Sequence, residues 1–394
     1  VLKGFGFNLL RFANIKGSRF LDISQFNPIY LLDQHFNLLS RNKIAEMSLP
    51  LSPEEISSQW LSDALGHKVK SFVFTEKILL ATASKLFITV TYEDEAAATA
   101  AGKPTHICLK GGFNQAVVAQ YPDIMIRIYT REVGFFSHVI PKLNHVDTAK
   151  CWWSAADKNQ GIVILDDLNK QGARFGEPTE TWTVDQVKAA VEQLAGLHAG
   201  TWGEKSAKLP TWLTDPEHYD ATILSLCGLW QGMVVAENRP HFPADWNEER
   251  ITAAMKKHLK SRDPRFTCLL HGDPHAGNTY FIDGAPRFLD WQLIHVGSAL
   301  HDLAYFIVGA LSVENRKAHE MAILQHYLDT LAKFGGPTFT LDDILIEYRK
   351  SLMSGIGWML TPYKLQTMER VHAMSERYGS AILDHKTIEL VESL

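Results

Sequence analysis

The run His271-Gly272-Asp273-Pro274-His275-Ala276-Gly277-Asn278, with Leu289-Asp290-Trp291-Gln292 shortly after it, decides how this chain is read. Short apolar segments flank the run: Cys268–Leu270 before it, Thr279–Ile282 after it, and Arg287–Leu289 beyond an Asp283-Gly284 turn. Segments of this kind bounded by turn residues read as strands, so the polar residues between them sit on a rigid turn. Asp290 ends the last strand, and a hairpin of that length can return its carboxylate to Asn278. Two oxygen ligands plus substrate phosphates are enough for Mg2+, which keeps waters and avoids a full protein cage. Asp273 is then left to orient a hydroxyl nucleophile and accept its proton. A lone Asp or Asn in such a turn would more often bond its own backbone. All of them together, between the right strands, point to chemistry.

The pattern His-x-Asp-x-x-x-x-Asn followed by a strand-end Asp resembles the catalytic and metal-binding loops of the aminoglycoside phosphotransferase and choline kinase superfamily. The version Asp290-Trp291-Gln292 is most similar to its ecdysteroid-kinase-like branch and the bacterial relatives of that branch. The resemblance covers roughly residues 70–380. It implies an α+β, bilobal, protein-kinase-like fold with a small antiparallel-sheet N-lobe and a larger, mainly helical C-lobe. It implies ATP and Mg2+ as cofactors and a small-molecule alcohol as acceptor. Among the residues, it implies Asp273 as catalytic base, Asn278 and Asp290 as Mg2+ ligands, and Asp302, in Asp302-Leu303-Ala304, as the support of the catalytic loop beside His271.

A kinase also needs a strand Lys to hold the α- and β-phosphates and a helical Glu to hold that Lys. Lys110 ends the strand segment His106–Lys110, where alternation puts Cys108 and Lys110 on one face and Ile107 and Leu109 on the other. Glu132 follows on a helical stretch, beside the stripe Val133, Phe136 and Ile140, and is the only Glu between Glu95 and Glu177. The bland alternative is a solvated strand end and a surface charge beside Arg131. Ile162–Leu165 leading into Asp166-Asp167-Leu168 resembles the superfamily's hinge, where backbone meets the adenine edge; Leu165, Asp167 and Leu168 are the candidates. Gln193–His198 resembles its "LAxLH" helix, with His198 read as structural. One departure stands out. The stretch that would cover the phosphates, Leu80-Ala81-Thr82-Ala83-Ser84, lacks the glycines that usually let backbone amides approach an anion, although its small residues still allow close approach. Thr82 and Ser84 remain as hydroxyl donors.

Along the rest of the chain, Ser52-Pro53-Glu54-Glu55 reads as a capping box opening a helix with Ile56, Trp60, Leu61 and Leu65 on one face. Lys70–Leu80 and Lys85–Thr91 read as strands and Ala96–Gly102 as a loop. Asp123–Val146 reads as helical, Thr183–Gln186 as a second capping box, and the chain beyond Leu300 as helical. Residues 1–46 show no sustained period and no signal-peptide pattern, and are read as an N-terminal extension without an assigned role. Residues 47–168 are expected to form the nucleotide-binding N-lobe and 169–394 the C-lobe with the catalytic and metal loops and the acceptor pocket. That pocket is expected from residues 200–265 and 345–380, with Trp230, Trp358 and Tyr363 as candidate aromatic walls.

A net charge of −5 offers no basic surface for nucleic acid, and no apolar run approaches the length of a membrane span. Four scattered cysteines without a CxxC pair fit a reducing cytoplasm and imply neither zinc nor a disulfide framework. No obligate protein partner is implied. A Walker NTPase is excluded by the absence of G-x-x-x-x-G-K-[ST], and a protein kinase is disfavoured because Asp290 reaches Asp302 with no room for a long activation loop. A two-metal phosphoesterase would need further His and Asp ligands at regular offsets. The remaining alternative is a catalytically inactive kinase-fold module that binds nucleotide or a partner, supported by the glycine-free turn.

Overall fold

The structure, a computed structural model, describes residues 48–79, 82–235, 239–240 and 242–394. The expected extension 1–46 therefore lies outside the described residues, as do Leu80 and Ala81. The first described helix, α1 (Ser58–Leu65), starts later than the Ser52 box predicts. Pro53–Glu55 makes only a 3-10 turn, Ser52 gives no side-chain cap, and Ser57 Oγ instead accepts from Trp60 N at 3.1 Å. Gly66 at φ 62° stops α1 in the left-handed conformation that glycine adopts cheaply.

Five strands then form one antiparallel sheet in the order β1-β2-β3-β5-β4. They are β1 (Val69–Leu79), β2 (Ser84–Tyr92), β3 (His106–Gly111), β4 (Cys151–Ala156) and β5 (Gly161–Asp166). The stretch expected as a loop after β2 is a short helix, α2 (Glu95–Ala100). Asp94 caps it by accepting from Ala97 N at 2.8 Å, and its alanines are strong helix formers. β4 was not foreseen. Helices α3 (Gln115–Gln120) and α4 (Pro122–Gly134) lie between β3 and β4, and α4 runs on through a π turn at Phe135–Val139 to end near Pro141. In that π turn the Phe135 ring stacks on Trp291 with centroids 3.8 Å apart and planes at 12°.

Beyond β6 (Arg174–Phe175) helices dominate. They are α5 (Val184–Thr201), the short α6 (Glu204–Ala207) and α7 (Thr211–Thr214), α8 (Glu217–Cys227), α9 (Glu248–Lys260), α10 (Ala299–Ala310), α11 (Val313–Lys333), α12 (Leu341–Ser351), α13 (Ile356–Met359), α14 (Met368–Asp384) and α15 (Thr387–Glu392). The Thr183–Gln186 capping box at the start of α5 is present in both directions. Within the helical part, β7 (Thr267–Leu270) pairs with β10 (His295–Ser298), while β8 (Thr279–Ile282) and β9 (Ala285–Phe288) make a hairpin extended by β6. β10 was also unforeseen, because four residues show no readable period. α14 clasps the segment that leaves the sheet: Arg370 pairs with Glu177, and Arg377 donates to the carbonyls of Pro178, Thr179 and Gly309. A continuous core links Phe135, Val163, Leu194, Leu269, Trp291 and Leu303, so residues 48–394 form one compact unit.

Candidate active site

Strand alternation buries Ile107 and Leu109 completely and turns Cys108 and Lys110 to the opposite face of β3. α4 packs along that sheet because glycine permits it: a Cβ at Gly161 would lie 2.9 Å from the Tyr129 backbone. The close approach brings Glu132, one turn from the end of α4, against Lys110. The Lys110 Nζ donates to Glu132 Oε1 and to Asp290 Oδ1, each at 2.8 Å. Burial opposes the charge on Lys110, but Asp290 and Glu132 hold its pKa above the usual lysine value. Burial likewise opposes ionisation of Asp290, and Lys110 outweighs it, so the Asp290 pKa is lowered. Burial pushes the Glu132 carboxyl up against the pull of Lys110.

The loop after β7 is built on two backbone donors. His271 N and Gly272 N donate to the two oxygens of Asp302 at 2.7 and 3.0 Å, from the first turn of α10. Gly272 sits at φ 84° with its would-be Cβ 2.2 Å from Leu293 O, so only glycine fits. Asp302 also accepts from His198 Nε2 at 3.2 Å, and His198 Nδ1 lies 2.9 Å from the Tyr327 hydroxyl. Burial opposes ionisation of Asp302, but the His198 bond with His301 and His271 nearby holds its pKa down at about 2. His271 donates through Nε2 to Leu289 O at 3.1 Å, and Asn278 O accepts from Leu289 N at 2.9 Å. These bonds tie the Asp273 turn to the segment just past β9 that carries Asp290. Asp290 itself adopts φ 68°, a left-handed conformation uncommon for non-glycine residues and easier for Asp than for most.

Asn278 Nδ2 donates to Asp273 O at 3.0 Å and to Asp273 Oδ2 at 3.1 Å. With its amide N–H groups committed, the Asn278 side-chain oxygen is the atom left for a cation. The other Asp273 oxygen, Oδ1, accepts from the Tyr305 hydroxyl at 2.9 Å. Burial pushes the Asp273 pKa up to about 7, with Asp290 adding to it and the Tyr305 and Asn278 hydrogen bonds opposing it. A carboxyl poised there can take a proton near neutral pH.

Beside Asp290 opens a cleft between the sheet and the Asp290 segment. Cys108, Lys110, Glu132, Leu165, Leu168 and Asp290 line it. Thr82, Ser84 and Asp167 do not. Thr82 is exposed, and the Asp167 carboxylate accepts from Asn169 N at 3.0 Å to shape the turn after β5. Ser84 is buried and its hydroxyl has no partner among the described residues.

The profile of the ecdysteroid kinase-like family matches residues 89–210 and 238–335, more than half of the chain. This chain belongs to the ecdysteroid kinase-like family. An uncharacterized kinase-like protein of Caenorhabditis elegans is 26% identical over 158 residues, 37% of this chain and 40% of the relative's own length. The fold is similar to solved small-molecule kinases at low identity. The macrolide 2'-phosphotransferase of Brachybacterium faecium aligns at TM-score 0.43 and 18% identity, over 80% of this chain and 96% of that one. Plasmodium vivax ethanolamine kinase aligns at 0.47 and 11%, over 82% and 84%, and the choline kinase of Streptococcus pneumoniae at 0.44 and 14%, over 86% and 99%.

In this ecdysteroid kinase-like chain the structure adds groups that the sequence did not single out. Lys85, Phe87, Asp166 and Asn169 also line the cleft, and Tyr305 touches Asp273. Lys85 and Phe87 could have been found from the alternation of β2, since they share the parity that faces away from the buried Leu86 and Ile88. Tyr305 carries no such signal, because an apolar helix disguises it as core. Of the expected aromatic walls, Trp230 is core, packed near Phe242. Trp358 meets the edge of His275 at 5.1 Å, and the Tyr363 hydroxyl is 2.8 Å from His372 Nε2. Among the described residues no helix is long and apolar enough to cross a membrane.

Proposed function

We propose that this chain is an ATP- and Mg2+-dependent phosphotransferase that moves the γ-phosphoryl group to a hydroxyl of a small molecule. The observation that supports it most is the Lys110 ammonium held between Glu132 and Asp290, on the segment stitched to the Asp273–Asn278 turn. In this reading the sheet-bearing part through Leu168 contributes the nucleotide contacts, with backbone near Leu165, Asp167 and Leu168 at the adenine edge. The helical part contributes the rest.

The donor set suits a hard cation: one carboxylate, Asp290, and one amide oxygen, Asn278, an all-oxygen pair with neither thiolate nor imidazole. Mg2+ held by these two would offset charge on the transferring phosphates when bound. The chain's own groups do the rest. Lys110 steadies the phosphate chain and Glu132 keeps Lys110 extended. Asp273 takes the proton from the acceptor hydroxyl as that oxygen bonds to the γ-phosphorus and the bond to the β-phosphate oxygen breaks, releasing ADP. Asn278 and Tyr305 fix the orientation of that carboxylate.

Incubation with ATP, Mg2+ and a library of alcohols, read by mass spectrometry for phosphate adducts, tests this. Asp273→Ala is expected to lower turnover about 10²- to 10⁴-fold while nucleotide binding persists. Full turnover by that variant would remove Asp273 from the mechanism. Tight Mg-ATP binding with no product from any acceptor would instead favour the inactive-module reading, which the glycine-free turn supports.

A further inference from the structure

The cleft contains a second lysine whose position calls for an anion. β2 pairs with β3 so that Lys85 stands directly opposite Lys110, and Phe87 opposite Cys108. Directly paired residues of an antiparallel sheet project to the same face. All four side chains accordingly line the cleft, while their neighbours Leu86 and Leu109 are fully buried on the other face. Like charges placed directly opposite each other destabilise a sheet. Lys110 is neutralised by its two carboxylates. Lys85 makes no ion pair within 4.0 Å among the described residues, although its field reaches Glu132 and Asp290 and lowers both. It is half-buried, at the end of β2 that follows the glycine-free turn. Ala83, just before β2, is buried in a cluster with Val117, Val118 and Tyr129.

We propose that Lys85 binds the phosphate chain of the nucleotide, supplying as a side-chain cation the contact that backbone amides of a glycine-rich turn supply elsewhere. The inference rests on the ATP reading above. Lys110 bridges the carboxylates of helix and loop, and Lys85, in direct contact with neither, is the cleft cation left to meet a di- or triphosphate. Adenosine, lacking phosphates, gains nothing from it.

The test is calorimetric titration of wild type, Lys85→Met and Lys85→Gln with ADP and with adenosine, each with Mg2+. Expected are an ADP affinity reduced about 10- to 100-fold in both variants, an unchanged adenosine affinity, and a thermal midpoint equal to or above that of wild type. Variants that bind ADP as wild type does would overturn the assignment of Lys85 and leave the ATP reading intact. A wild type that binds neither ligand would overturn the ATP reading and this inference with it. Equal loss of ADP and adenosine binding would show that Lys85 shapes the cleft rather than holding phosphate.

Discussion

At the scale of single residues, Asp302 carries more than its position in an apolar helix advertises. It accepts from two backbone N–H groups and from His198, all buried. Asp302→Ala leaves the two N–H donors without an acceptor, at a cost of about 1–3 kcal/mol each. A clear drop in the denaturation midpoint, accompanied by loss of turnover, is the expected outcome; a midpoint equal to wild type would refute the account of the loop. The placement of Asp302, His271, Asp273 and Asn278 was legible because they lie in short contiguous motifs that resemble those of a known superfamily. Lys110 and Glu132 were legible by parity and by the scarcity of other glutamates. Tyr305 and Asp166 were not. A tyrosine among Leu303, Ala304 and Phe306 reads as packing, and which of two adjacent aspartates faces a cleft depends on how the chain leaves β5.

At the scale of elements, the sheet and α4 meet at Tyr129 where side chains are missing, at Gly112 and Gly161. Gly161→Ala puts a methyl 2.9 Å from the backbone and Cβ of Tyr129, which backbone atoms cannot yield cheaply. The strain is expected to cost about 1–3 kcal/mol and to push α4 away from β5. Because Glu132 rides on α4, nucleotide affinity should fall together with the denaturation midpoint. Unchanged binding in a destabilised variant would separate the helix from the site. Element boundaries were the weaker part of the sequence reading for local reasons. Asp94 capped a helix in an alanine-rich stretch that looked like a loop, Ser57 replaced Ser52 as the cap of α1, and β4 and β10 were too short or too mixed to show a period.

Across the whole molecule, acid should act through buried histidines near the Asp273 turn. Burial holds His295 at about 3, reinforced by the charge of His301; burial holds His301 at about 4, with Arg262 lowering it further and Asp302 opposing. Unfolded histidine titrates near 6.5. Between these values the unfolded chain binds more protons, so stability falls as pH drops below about 6.5 and levels off beneath the folded values. Each histidine contributes a slope of up to about 1.4 kcal/mol per pH unit in that window and none above it. Asp273, pushed up to about 7, binds its proton earlier in the folded chain and offsets about one such slope below pH 7, so the two histidines leave a net decline. Urea midpoints measured from pH 8 to pH 4.5 should fall below about 6.5; a flat acid limb would contradict the burial of these rings. The Phe135–Trp291 stack has a further bearing at this scale. It rivets the end of the glutamate-bearing helix to the tryptophan next to Asp290, so that helix is not a swinging arm. Any outward tilt that carried Glu132 away from Lys110 would have to unstack these two rings first.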